Sequence, residues 1–182
     1  MPIHYVTGNN TKFNYAKSFF DKKGVDLVQT KLDIYEIQSS DPISIAESKA
    51  NQAWEKIKEP LFVSDSYWMI PALNGFPGPY MKDINLWFTP QDFLNLMKDK
   101  KDRTIILKDT IFYIDNQGFK TFTNDYSGII LEKACGSKYL TSIDAIASFS
   151  DSKKAIAEET SFSFKEERIA WNNFVDWLKL RD

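Results

Sequence analysis

The stretch IHYVTGNNTKFNYAKSFFDKKG, residues 3–24, contains a short strand-like run, a polar turn and an amphipathic helical pattern in direct succession. The strand-like run is rich in aromatic and β-branched residues and ends at a Gly-Asn-Asn turn. After the turn, apolar residues recur at helical spacing from Phe13 to Phe20, and Gly24 predicts the helix end. A strand that leads directly into a helix predicts a βα unit, from which α/β folds are built.

The next 40 residues repeat this alternation. Residues 25–37 (VDLVQTKLDIYEI) predict a strand with polar interruptions. Residues 41–58 (DPISIAESKANQAWEKIK) predict a helix, because Asp41 is a good N-cap residue and Pro42 suits the first helical position. Residues 59–66 (EPLFVSDS) predict a buried strand.

The remaining chain combines helices with a hairpin. Residues 74–79 (NGFPGP) predict irregular backbone, and residues 89–100 (TPQDFLNLMKDK) predict a helix with the same cap-then-proline start. Apolar and polar residues alternate over 103–131 around Asn116-Gln117-Gly118, which predicts a β-hairpin followed by a further strand. Residues 164–180 predict an amphipathic helix. We therefore expect one α/β domain over residues 1–182, with a mixed twisted sheet flanked by helices.

Composition narrows the classes of function. The 182 residues are 43% apolar, which is enough for one sizeable core, and the net charge of −2 argues against a nucleic-acid-binding protein. No apolar run reaches membrane-spanning length, and no signal peptide is evident at the N-terminus. The single cysteine, Cys135, favours packing over nucleophilic chemistry and fits a reducing, cytoplasmic location.

Polar side chains follow three of the predicted strands or turns, where α/β proteins usually bind ligands. The turn from Thr7 to Lys12 presents backbone N–H groups and a cation, which suits a phosphate. Glu36 and Asp65 come from different segments, and two such carboxylates can hold Mg²⁺. Either one could also accept a proton from an attacking water.

Each of these features also has a plain structural interpretation. The turn can be an ordinary strand-to-helix connection with a solvated Lys12, and Glu36 can be a solvated strand residue. His4, Trp171 and Trp177 fit structural positions better than catalytic or stacking ones. Only the combination of the three polar segments favours chemistry.

That combination resembles the inosine triphosphate pyrophosphatase family, the Ham1-like purine nucleoside triphosphate pyrophosphatases. The similarity rests on VTGNNTKFNYAKSFF, DIYEIQSSDPISIAESKANQA and LFVSDSYWMIPALNGFPGPYMK, in that order and spacing. It continues more weakly through TFTNDYSGIIL. The resemblance implies two lobes around a nucleotide cleft, a homodimer, and Mg²⁺-dependent hydrolysis of a nucleoside triphosphate to the monophosphate and pyrophosphate.

The resemblance also assigns roles to individual residues. Asp65 becomes the catalytic carboxylate, and Glu36 and Asp65 together become the Mg²⁺ ligands. The substrate-binding residues that it implies are Thr7, Gly8, Asn9, Lys12, Lys49, Ser66, Lys82, Asp144 and Arg168.

Four positions depart from the family pattern. Ser64 replaces a second acid beside Asp65, and Tyr67 replaces a glycine. The base-reading segment is LTSIDA instead of the aromatic-containing family motif, and Glu167 stands where the family has histidine. We therefore expect a working pyrophosphohydrolase with altered base specificity, acting on non-standard or modified nucleotides. The alternative is a catalytically weak homologue that serves as a nucleotide-binding or regulatory module.

The altered base-reading segments predict that this protein lacks the family's strong preference for inosine and xanthosine triphosphates over adenosine and guanosine triphosphates. Glu167 would repel a 6-oxo acceptor and would accept a hydrogen bond from an exocyclic amino group. Sites with matched hydrogen bonds discriminate by about 10⁴–10⁵, whereas shape alone gives roughly 10–200. Comparing kcat/KM across these nucleotides, cytidine triphosphate and modified bases tests this. A hundredfold preference for inosine triphosphate would contradict it.

Overall fold

The computed structural model describes residues 2–149, 153–159 and 169–181. Within these ranges the chain forms two compact units whose segments alternate along the sequence. The first unit comprises described residues of 1–65, 109–124 and 166–182, and the second comprises described residues of 66–108 and 125–165. The expectation of a single domain over 1–182 stays a prediction.

The secondary structure is of mixed α/β type, as predicted. The strands are β1 (Ile3–Val6), β2 (Leu27–Thr30), β3 (Leu61–Met69), β4 (Pro77–Gly78), β5 (Thr104–Asp115), β6 (Gly118–Ile130) and β7 (Ala147–Ser148). The α-helices are α1 (Asn10–Lys23), α2 (Pro42–Ile57), α3 (Met81–Trp87), α4 (Pro90–Leu96) and α5 (Ile169–Lys179). Short 3₁₀ helices span Pro71–Leu73, Ser142–Ala145 and Ile156–Glu158. The strand order is β2-β1-β3-β5-β6-β7, and β4 pairs with β3.

Two parallel pairings organise the first unit. β1 pairs with β2 over its whole length, from Ile3 opposite Leu27 onward. It also pairs in parallel with the start of β3, where Tyr5 lies opposite Phe62. Helices α1 and α2 are the crossover connections that parallel neighbours require. The carboxyl ends of β1 and β2 consequently lie at one edge of the sheet, and β3 passes this edge just after Phe62.

Aromatic side chains fill the core beneath this edge. Tyr5 stacks on Phe62, with ring centroids 4.4 Å apart, and Phe174 of α5 meets Phe62 edge-on at 4.9 Å. Trp171 of α5 is buried in the same cluster, as its helical spacing with Trp177 indicates. This packing attaches α5 to the strands that lead to the polar edge.

The second unit has its own apolar core, which includes Trp68, Ile70, Phe93, Ile105 and Ile143. Between the core residues Ile70 and Phe93, the chain forms the 74–79 segment, in which Gly75 and Gly78 adopt φ values of 89° and 61°. Glycine is favoured at both positions because L side chains rarely adopt these angles.

Three sequence predictions of secondary structure were wrong, and one helix was missed. The strand predicted over residues 59–66 spans Leu61–Met69 instead, so Asp65 lies within β3 and not at its end. Residues 31–37 do not continue the strand, because side chains of α2 satisfy their backbone: Lys56 Nζ donates to the Asp33 carbonyl at 2.6 Å. No separate strand follows the hairpin before residue 131, because β6 continues without a turn from Gly118 to Ile130. Helix α3 was missed, and its N-cap residue Tyr80 makes no side-chain capping hydrogen bond that could have marked its start.

Other predictions are confirmed. Asp41 caps α2, Thr89 caps α4, and His4 is a half-buried residue of β1. The C-terminal helix is described from Ile169, so the predicted residues 164–168 lie outside the described ranges. Across the described ranges, no helix is long and apolar enough to cross a membrane.

Truncating Phe62 should destabilise the protein strongly. Phe62 is fully buried and contacts both Tyr5 and Phe174, so Phe62→Ala should lower the free energy of unfolding by about 3–5 kcal/mol. The matched control is Phe119→Ala, because Phe119 is 67% exposed and should lose about 1 kcal/mol or less. Urea unfolding followed by circular dichroism measures both. Equal losses for the two variants would contradict this description of the core.

Candidate active site

The register of the parallel strands brings three predicted polar segments to one edge of the first unit. With Tyr5 opposite Phe62, Thr7 and Asp65 both lie just beyond the paired residues of β1 and β3. The amide of Thr7 also donates to the carbonyl of Thr30 at the end of β2, at 3.1 Å. The segment that carries Glu36 leaves β2 from this same point.

Four charged side chains meet at this edge. Lys49 Nζ lies 2.8 Å from Glu36 Oε1 and 3.6 Å from Asp65 Oδ2. Lys12 Nζ lies 3.5 Å from the other carboxylate oxygen of Asp65. The two ammonium groups and two carboxylates therefore form one connected cluster, in which Lys49 is shared between both acids.

The cluster is partly shielded from water at its centre and open at its edge. The side chains of Lys49 and Asp65 are 21% and 30% exposed, whereas Glu36 is 59% exposed. Lys49 is shielded because it lies beside the row of small buried residues on α2, which includes Ala46 and Ala50. Small residues let the helix approach the sheet closely, so the stem of Lys49 is covered while its ammonium reaches the acids.

The start of α2 fixes where Lys49 emerges. The Asp41 carboxylate accepts hydrogen bonds from the Ile43 and Ser44 amides and from the Ser44 hydroxyl. The Ser44 hydroxyl, followed by the Ile43 amide, lowers the pKa of Asp41 below its ordinary value. The cap therefore stays ionised and in place at neutral pH.

The turn between β1 and α1 has its acceptor atoms occupied by its own backbone. Asn9 Oδ1 accepts from the amides of Thr11 and Lys12, and Thr7 Oγ1 accepts from the Asn9 amide. This leaves hydrogen-bond donors: the Thr7 hydroxyl hydrogen, the Asn9 amide NH₂ and the Lys12 ammonium. The sequence predicted free backbone N–H groups here, but the Thr11 and Lys12 amides bond to the capping side chain of Asn9, and the Asn9 amide bonds to Thr7 Oγ1.

Packing does not require a glycine at position 8 of this turn. A Cβ atom at Gly8 would meet nothing within 4 Å. The missing side chain instead leaves the turn's backbone accessible to a ligand.

Two glutamines hold the polar segments in place, and the sequence analysis missed both. Gln52 on α2 donates to the Tyr35 carbonyl at 2.7 Å and accepts from the Tyr35 amide at 3.1 Å. The backbone next to Glu36 is thereby fixed to the helix that carries Lys49. Gln29 on β2 donates to the Thr7 carbonyl at 3.1 Å. A signal for Gln52 existed, since it lies one helical turn after Lys49 on α2.

Ser64, which departs from the family pattern, also has a buried partner. Its hydroxyl is 2.5 Å from the hydroxyl of Tyr5, whose ring belongs to the aromatic core. The residue before Asp65 is thus connected to the core by a hydrogen bond.

The other predicted site residues belong to the second unit or lie outside the described residues. Ser66 follows Asp65 on β3, and Lys82 is an exposed residue of α3. Asp144 accepts hydrogen bonds from the amides of Leu140 and Thr141, so it caps the 3₁₀ helix Ser142–Ala145 from within its first turn. Arg168 lies outside the described residues. Ligand contacts for these four residues stay predictions.

The acids fit a divalent cation that is only partly held by protein. Over the described residues, no group of three or more His, Cys, Asp or Glu side chains could hold a metal ion. Glu36 and Asp65 supply two hard oxygen ligands. Mg²⁺ commonly binds through one or two carboxylates, with waters and substrate phosphates completing its shell. The donor set therefore fits a metal that the substrate also ligates.

Comparison with known proteins identifies the family. The model of the Ham1 family matches residues 3–166 of this chain. The chain belongs to the Ham1 family. This confirms the family resemblance that the sequence motifs indicated.

Individual Ham1 relatives match over almost their whole length. The chain is 30% identical to the dITP/XTP pyrophosphatase of Thermococcus kodakarensis over 184 residues, which cover 98% of each chain. It is 28% identical to the dITP/XTP pyrophosphatase of Pyrococcus horikoshii, covering 99% of this chain and 98% of the relative. The Ham1 protein of Staphylococcus aureus has the same fold, with a TM-score of 0.81, 20% identity and 100% coverage of both chains.

Removing the Gln52 side chain should loosen the segment that carries Glu36. In Gln52→Ala the Tyr35 amide loses its acceptor, and a net hydrogen bond of about 0.5–1.5 kcal/mol corresponds to roughly twofold to tenfold faster hydrogen exchange. The control is Gln91→Ala, which removes only a contact with Asn95 within α4. NMR measures the hydrogen-exchange rate of the Tyr35 amide in both variants. Unchanged exchange at Tyr35 would contradict the positioning role of Gln52.

Proposed function

We propose that this chain is a nucleoside triphosphate pyrophosphohydrolase, which cleaves its substrate to a nucleoside monophosphate and pyrophosphate. The observation that carries the proposal is the cluster of Lys12, Lys49, Glu36 and Asp65 at one edge of the first unit. Membership of the Ham1 family and relatives named dITP/XTP pyrophosphatase support it. Non-standard purine nucleoside triphosphates are accordingly the proposed substrate class.

The β1–α1 turn is suited to hold the phosphates. The Thr7 hydroxyl, the Asn9 NH₂ group and the Lys12 ammonium are all donors, and a polyphosphate offers only acceptors. Access at Gly8 lets phosphate oxygens approach the backbone. The helix N-terminus of α1 adds a favourable dipole for negative charge. These interactions would position the chain of phosphates beside Asp65.

Asp65 is the proposed general base. Its carboxylate takes a proton from water while the water oxygen bonds to phosphorus, and the bond between the α- and β-phosphates breaks to release pyrophosphate. Lys12 and Lys49, which contact Asp65, are placed to balance the charge on the phosphates. Glu36 and Asp65 would hold Mg²⁺, which supplies charge neutralisation and orientation of the phosphates.

The alternative of a catalytically weak binding module is less well supported. Binding alone requires donors and cations for the phosphates, and the β1–α1 turn with Lys12 already supplies them. A site for binding alone gains nothing from two acids that occupy its lysines, because they reduce the positive charge available to a polyphosphate. The acids therefore favour catalysis.

Three finer parts of the proposal rest on resemblance or composition. Mg²⁺ as the specific metal and a homodimeric assembly are inferred from the family resemblance. A cytoplasmic location is inferred from the single cysteine. A nucleotide is the proposed partner, with neither nucleic acid nor membrane.

Asp65→Asn should abolish most turnover while the nucleotide still binds. The amide has a similar shape but does not accept the proton, and loss of a general base typically costs about 10²–10⁴ in rate. The control is Asp21→Asn, because Asp21 pairs only with Lys17 on the surface of α1. The assay measures pyrophosphate and orthophosphate release from a panel of nucleoside triphosphates with and without EDTA.

The wild-type protein and Asp21→Asn should release pyrophosphate in a metal-dependent reaction. Orthophosphate as the sole product, or activity that EDTA does not affect, would contradict the proposed function. Near-parental turnover by Asp65→Asn would remove Asp65 from the mechanism.

A further inference from the structure

Lys49 occupies the position between the two acids that a divalent cation would also need. Its ammonium is at hydrogen-bonding distance from Glu36, 2.8 Å, and within 3.6 Å of Asp65. The Lys49 side chain is the least exposed of the four charged groups, at 21%. A cation with this degree of shielding is weakly screened by solvent, so its field at the acids is strong.

The ammonium and a metal ion therefore compete for the same oxygens. Mg²⁺ needs ligand distances of about 2.1 Å with near-ideal octahedral geometry, which leaves no room for an ammonium that contacts both ligands. The ammonium also repels a doubly charged ion at short range. The two acids are already neutralised by Lys49 and Lys12, so the protein alone offers a divalent cation little net attraction.

A polyphosphate changes this balance because it gives the ammonium another partner. Lysine has a flexible four-carbon stem and donors that rotate freely, so Nζ can move to a phosphate oxygen while α2 stays in place. The acids then lose their counter-ion at the moment when phosphate oxygens become available as further metal ligands. Both changes favour metal binding.

We propose that Lys49 excludes divalent cations from the nucleotide-free protein and admits them together with the polyphosphate. Metal and substrate therefore bind with positive cooperativity, and the free protein does not take up the metal first. This inference rests on the proposed function, since it uses the same two acids as metal ligands.

Lys12 has a smaller part in this exclusion. Its ammonium lies 3.5 Å from Asp65, and its side chain is 43% exposed. It lies on the turn that would bind phosphate and does not touch Glu36. Removing the Lys49 ammonium should therefore free oxygens of both Glu36 and Asp65 for a metal ion, whereas removing a lysine elsewhere on the surface should free neither.

The test measures metal binding without turnover. Mn²⁺ serves as the probe, and electron paramagnetic resonance measures the concentration of free Mn²⁺ during each titration. The titrated proteins are the full-length, nucleotide-free wild type and its variants Lys49→Met and Lys49→Gln. The control is Lys17→Met, which removes the same charge from the surface of α1. Circular dichroism establishes that each variant is folded. Both Lys49 variants should bind Mn²⁺ at least about tenfold more tightly than the wild type, and Lys17→Met should match the wild type.

A second measurement tests the cooperativity. Thermal unfolding is followed with Mg²⁺ alone, with inorganic triphosphate alone, and with both. In the wild type, both together should raise Tm by clearly more than the sum of the separate shifts, whereas the Lys49 variants should respond to Mg²⁺ alone.

Two results would overturn the inference: wild-type binding of Mn²⁺ within twofold of the Lys49 variants, or additive Tm shifts in the wild type. Failure of the proposed function would appear differently, as absence of pyrophosphate release from every nucleotide in the panel. The metal titration is independent of that outcome because it contains no substrate.

Discussion

The shared ammonium of Lys49 is the interaction on which the candidate site depends. Glu36 and Asp65 come from segments far apart in sequence, and two carboxylates at one sheet edge would repel each other without a cation between them. Lys49 reaches this position because small residues let α2 approach the sheet closely and because the Asp41 cap fixes where α2 begins. The ion pairs thus reflect the packing of α2 and the way in which its backbone begins.

The rest of the first unit keeps these groups in register. Parallel pairing of β1 with β3 sets Asp65 beside the β1–α1 turn, and the Tyr5–Phe62 stack fixes this pairing in the core. Gln52 holds the backbone beside Glu36 in place, because its side-chain amide bonds to both the N–H and the carbonyl of Tyr35, as a neighbouring strand would. Asp65 lies on a strand and Lys12 and Lys49 lie on two helices, which keep a site's geometry better than loops do. Glu36 lies on neither and relies on this Gln52 contact.

Local signals in the sequence predicted much of this arrangement. The strand-turn-helix pattern at 3–24 and the Asp41 cap each have a short-range physical cause. The end of the strand that carries Asp65 was predicted too early, because β3 continues to Met69. Interactions between distant segments were not predictable in the same way. The alternating pattern at 31–37 indicated a strand, yet its backbone is satisfied by Gln52 and Lys56. The position of Lys49 between two acids likewise follows only from tertiary packing.

Lys49 pairs with the two acids until a polyphosphate binds its ammonium and a divalent cation takes its place beside Glu36 and Asp65. The most direct measurement is a crystal structure of the protein with Mg²⁺ and a non-hydrolysable nucleoside triphosphate. In that complex, oxygens of Glu36 and Asp65 should coordinate the hydrated metal or accept hydrogen bonds from its waters, and Lys49 Nζ should contact a phosphate oxygen. A complex in which Lys49 Nζ still contacts both carboxylates, with the metal bound elsewhere, would contradict it.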